Sequence, residues 1–199
     1  MKTVYFFIFI IFTSGTLLSQ EKTLLTSNIE HGGYGAPVIK GSMINNQFGL
    51  FVGGRGGWIL NHTFAVGLGG YGLVNSATWD NSSSDAIPRL TMGYGGLELE
   101  GIINSDKIVH FTIHALIGYG AVDYLDADYL KEFSLDTWKS ADAFFVAEPA
   151  FNVDINITTY FRLGIGVSYR YVSGVELVGI TNEDISGFTG NLIFKFGGF

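Results

Sequence analysis

Eight charged side chains fall on the small or polar face of segments whose other face is apolar: Arg55, Glu98, Glu100, Glu148, Asp154, Arg162, Arg170 and Lys195. Isolating a charge from water is costly, so such groups must be paired or hydrated. Brought together in one interior, they either fill it as an ion-pair network or line a polar channel. The tight turn expected at 157–159 places Asp154 nearest Arg162 and Glu148 nearer Arg170. The narrow interior expected here favours the filling network.

Other chemistry is less supported. His110 and His114 share a face, but no third group has the spacing of a metal site, and no metal or cofactor is expected. Neither has a seryl partner at catalytic spacing, so no enzymatic activity is expected. Gly67-Leu68-Gly69-Gly70-Tyr71-Gly72 fits the dinucleotide-binding pattern GxGxxG. That site needs a helix next, and Leu73-Val74-Asn75-Ser76 is not helical. The stretch Asp123–Ala141 mixes acidic residues with apolar ones at three- and four-residue steps, which fits a short amphipathic helix. Its acidic spacing is not that of a calcium loop.

The elements that must position these groups are strands. From Phe161 to Tyr171, apolar or aromatic residues alternate without fault with Arg162, Gly164, Gly166, Ser168 and Arg170. Successive strand side chains point to opposite faces. At about 3.3 Å per residue the run is roughly 35 Å long, enough to cross a bilayer at a tilt. Comparable segments lie at 34–43, 48–60, 64–75, 90–102, 109–120, 145–157 and 188–196. In 90–102 the parity slips at Gly95-Gly96, where a bulge is expected. Short turns (61–62, 104–106, 157–159) alternate with longer polar stretches (76–87, 123–141, 174–186). The first hairpin, Asn45-Asn46, is short on the long-loop side.

Composition narrows the class. The chain has 199 residues, no cysteine, 28 glycines and a net charge of −7. Acidity without a basic cluster argues against nucleic-acid binding. The absence of cysteine excludes a disulfide scaffold. Lys2, the apolar run Val4–Leu18 and the small residues before Gln20 read as a signal peptide spanning 1–19, which leaves 20–199 as one domain. Beyond it no apolar run is long enough for a spanning helix. Yet mean hydropathy is +0.31. Aromatic residues sort into two bands. Trp58, Phe161, Phe194 and Phe196 fall towards the short-turn end, and Tyr119, Phe145, Tyr169 and Tyr171 towards the long-loop end, as at two membrane interfaces. The fold expected is all-β: an eight-stranded, antiparallel, up-and-down transmembrane β-barrel. The inverse arrangement, a soluble barrel with the aromatic face inward, has the same period.

The leader, the eight alternating segments and the ending Asn191-Leu192-Ile193-Phe194-Lys195-Phe196-Gly197-Gly198-Phe199 together resemble the small outer-membrane β-barrel proteins of Gram-negative bacteria, in the Bacteroidetes style. The resemblance covers the whole mature chain. It implies an outer-membrane location, membrane lipid as surroundings and Phe199 as a signal for the barrel-assembly machinery. Phe199 has the opposite parity to Phe194 and Phe196, which a bulge at Gly197-Gly198 would explain. The role implied is structural or interactive, with three long loops displayed outside. A narrow pore is the alternative, and a lipid-modifying enzyme a more distant one.

Overall fold

The computed structural model describes residues 30–75, 77–78, 89–125 and 141–199. The expected leader, most of loop 76–87 and the amphipathic helix expected within 123–141 lie outside them. Eight long strands form: β1 (His31–Ile44), β2 (Gln47–Leu60), β3 (Phe64–Leu73), β4 (Arg89–Ile103), β5 (Val109–Leu125), β6 (Asp142–Asn156), β7 (Phe161–Ser173) and β8 (Gly187–Gly198). Each pairs antiparallel with its neighbours in sequence, β1 also pairs with β8, and β3 with β4, so the sheet closes. Closure leaves no long edge with unpaired backbone groups.

Local chemistry explains the two ends. Asn45 and Asn46 hold φ of 44° and 61°, the left-handed pair that a two-residue hairpin needs and asparagine tolerates. This turn, and the strand ends joined by 74–88, 126–141 and 174–186, mark one rim, the loop rim. Residues 61–63, 104–108 and 157–160 and both described termini mark the other, the turn rim.

The expected bulge at Gly95-Gly96 is absent. The register runs unbroken through it against both β3 and β5. Leu90, Met92, Tyr94, Glu98, Glu100 and Ile102 are all buried on one face. The parity looked shifted because the lumen near the loop rim is itself apolar, so inward residues there are as greasy as outward ones. The bulge at Gly197-Gly198 is absent too. Gly197 and Gly198 continue the β1 register opposite Tyr34 and Gly33. Phe199 therefore keeps lumen parity and packs beside Tyr34, at 6.4 Å between rings.

The ladders break at two prolines. Pairing of β1 with β8 skips Ala36 and Pro37, and pairing of β6 with β7 skips Glu148 and Pro149. Proline has no N–H to donate there. Glycine serves the opposite purpose inside. A Cβ at Gly120 would collide with the Phe144 ring, which fills the lumen beside it. Replacing Gly120 with valine is expected to destabilise the barrel by about 1–3 kcal/mol, the usual cost of overpacking. Urea unfolding of the refolded protein followed by tryptophan fluorescence checks this.

Candidate functional site: a filled lumen

Every charged residue singled out from the sequence points into the barrel. Arg55, Glu98, Glu100, Glu148, Asp154, Arg162, Arg170 and Lys195 are all 7% exposed or less. Glycine makes space for them. Side chains at Gly69 and Gly164 would occupy the positions of the Glu98 and Asp154 carboxylates.

The partners differ from those expected. Lys195 Nζ donates to Asp154 at 2.6 Å and also to Glu100. Arg55 bridges Glu100 at 3.2 Å and Glu98 at 3.7 Å. Tyr71 and Tyr34 donate to Glu98 and Glu100 at 2.7 and 2.9 Å. Glu148 accepts from Lys40 at 2.8 Å, Tyr94 at 2.7 Å and Ser168 at 2.6 Å. Asp154 is thus taken by Lys195, one strand beyond Arg162, and Glu148 by Lys40, three strands away, rather than by Arg170. Arg162 lies 3.9 Å above the Phe199 ring near the turn rim. Arg170 donates Nε to the Ile185 carbonyl at 2.8 Å and Nη2 to Ser42 at 3.1 Å.

Hairpin adjacency was the wrong guide because a narrow barrel brings all strands within reach. Long cations cross the lumen, and the expected pairs joined neighbours only. Lys40 went unnoticed because β1, rich in Gly and apolar on both faces, hides its period. Its ammonium also sits 3.4 Å over the Tyr71 ring. Tyr34, Tyr71 and Tyr94 were missed for a similar reason: their apolar bodies read as wall while their hydroxyls belong to the network. The two histidines join it as well. His114 Nε2 lies 3.0 Å from Glu98, and His110 Nε2 3.8 Å from Asp154.

Above this network, towards the loop rim, the lumen is apolar. Ile44, Phe51, Met92, Leu116, Val122, Phe144, Val146 and Val172 form one buried cluster. The segment 174–186, expected as a displayed loop, instead contributes Ile180 and Ile185 to that cluster. A single helical turn, α1 (Asn182–Ile185), carries Ile185, and Asn45 N–H donates to the Asp184 carbonyl at 2.8 Å. The segment folds down because its two isoleucines otherwise meet water. Near the turn rim, Ile59, Ala65 and Ile102 form a second small cluster with Tyr34 and Phe199 against it. A cavity of about 10 Å³ remains beside Lys40, Arg55, Tyr71, His114 and Asn152. That is room for one water molecule.

The outer face is the reverse. Trp58, Tyr119, Tyr169, Tyr171 and Phe196 point outward with 40% or more of their surface free. Phe161, Phe145 and Phe194 share their outward parity and are half-buried among neighbours. Phe161 stacks on Phe196 at 4.8 Å, and Tyr119 meets Phe145 edge-on at 5.9 Å. Outward Ile113, Ile165, Val167 and Leu68 fill the belt between the two bands. The inverted arrangement, with aromatics inside, is therefore not adopted.

A closed eight-stranded barrel with this topology is the architecture of the small outer-membrane β-barrels. Among solved structures, the chain resembles the N-terminal β-barrel domain of Pseudomonas aeruginosa OprF, with a TM-score of 0.54 and 11% identity over 85% of this chain and 99% of that one. It also resembles the Neisserial surface protein A, NspA, with a TM-score of 0.50 and 12% identity over 85% and 97%. At such identity the likeness is one of fold. No protein-family pattern and no curated protein matches the chain.

The network makes a cooperative prediction. Removing one partner of a buried pair strands the other charge, at about 3–5 kcal/mol, whereas replacing both by apolar groups is often near neutral. Glu148→Ala is expected to cost that much. The double variant Lys40→Met, Glu148→Leu should recover only the part due to the stranded Lys40 charge, because the Tyr94 and Ser168 hydroxyls still lose their acceptor. A double-mutant cycle on urea midpoints reads the coupling.

Proposed function

We propose that the protein is an outer-membrane scaffold with a structural or surface-interaction role and a lumen closed by its own side chains. The observation that carries this reading is the division of the molecule. Charge, which a bilayer rejects, is gathered inside, and large apolar residues stand outside as a continuous belt. A soluble monomer rarely exposes so large an apolar surface. The alternation of apolar-out with polar-in, and the two aromatic bands, are the pattern of a transmembrane barrel. The likeness to OprF and NspA barrels supports the same location.

Filling supports scaffold over pore. Eight strands enclose a space that side chains just fill, and here two layers do so, one ionic and one apolar. The surroundings implied are membrane lipid, and the barrel-assembly machinery during insertion, with Phe199 as part of what it reads. Nucleic acid is no partner in this reading, and catalysis has no place in it. The loops 76–87 and 123–141, with the outer surface of 174–186, are what the scaffold presents outside.

Cell fractionation tests this reading. The protein is expected in the outer-membrane fraction and should migrate faster on a gel when unboiled than when boiled. Recovery in the soluble periplasm, with no shift on boiling, would contradict it.

A further inference from the structure

Arg170 is 0% exposed and touches no carboxylate. Its neighbours are the Ile185 carbonyl, the Ser42 and Tyr94 hydroxyls and the rings of Phe51 and Tyr94, at 4.6 and 5.6 Å. One of its terminal nitrogens, Nη1, has no hydrogen-bond partner. A buried cation without a counter-charge is costly, and the interior has no acid to spare. Among the described residues the buried carboxylates are Glu98, Glu100, Glu148 and Asp154, and Arg55, Lys40 and Lys195 engage all four. The acids of the covering segment also look elsewhere. Glu176 and Glu183 are exposed, and Asp184 accepts from Thr181 in its own helical turn.

Among the described residues no acid supplies the missing charge, and what separates Arg170 from the loop rim is segment 174–186. The Ile185 carbonyl oxygen already sits against Nε, where one oxygen of a carboxylate would bind. Ile180 and Ile185 fill apolar space beside Ile44, Phe51 and Val172. We propose that Arg170 and the apolar room under segment 174–186 form a binding site for a small carboxylate carrying a short hydrocarbon tail, which enters from the loop rim by displacing Ile180 and Ile185. Arginine offers the carboxylate a two-pronged donor set. The tail takes the place the isoleucines leave. The site rests on the barrel fold and on Arg170, not on where the barrel resides.

Octanoate is the probe, with octylammonium and acetate as its controls. The full mature chain is refolded in non-ionic micelles, and methyl NMR signals of Val172, Ile180 and Ile185 are followed. Octanoate is expected to shift them saturably, and at least tenfold more weakly in the R170Q variant. Octylammonium should leave them at the level of micelle partition, and acetate should bind at least tenfold more weakly than octanoate. Equal responses to octanoate and octylammonium in the unaltered protein would overturn the proposal, and that comparison needs no variant to fold. Acetate binding as tightly as octanoate, or undiminished octanoate binding by a folded R170Q barrel, would overturn it as well.

Discussion

An eight-stranded barrel has to be filled, and half of this one is filled with charge. That constraint organises the rest of the molecule. Four buried carboxylates need cations within reach, and Lys40, Arg55 and Lys195 supply them from three different strands. Because each cation reaches past its neighbouring strand, the pairs tie together strands that are not neighbours in the sheet. The ladder closes the wall, and the ion pairs brace it from inside. Buried pairs of this kind are weak as a source of net stability, but breaking one is expensive. Their effect is to specify one register, since a one-residue slip of a strand that carries them would turn its charges outward.

The tyrosines show how the network is completed. A carboxylate in a dry interior has more lone pairs than one cation can satisfy. Tyr34, Tyr71, Tyr94 and Ser168 supply the remaining donors. Each tyrosine also presents a ring to its surroundings, so the same side chain satisfies an acid and packs a layer. The apolar cluster at the loop rim and the smaller one at the turn rim then shut the ionic layer away from both mouths.

Much of the fold was legible in the sequence because a two-faced strand has a period that survives without context. The alternation in 161–171 matches β7 closely, and the sorted turns foretold which rim each connection joins. What was not legible depended on depth along the lumen. Inward residues are charged in one half and apolar in the other, so Leu90, Met92 and Tyr94 imitated a change of face. Partner choice was hidden for another reason. Register shows which residues lie side by side on the wall, not which long side chains meet across the interior, and so Arg170 was assigned an acid it does not touch. The folding-down of 174–186 was hidden as well, because two isoleucines in a polar loop carry no period.

If side chains close this lumen and the outer face meets lipid, the barrel should enter a bilayer without conducting. Planar-bilayer conductance of the purified, heat-modifiable protein tests it most directly. Insertion without a steady ohmic step is expected. A stable open channel in the unaltered protein would contradict it.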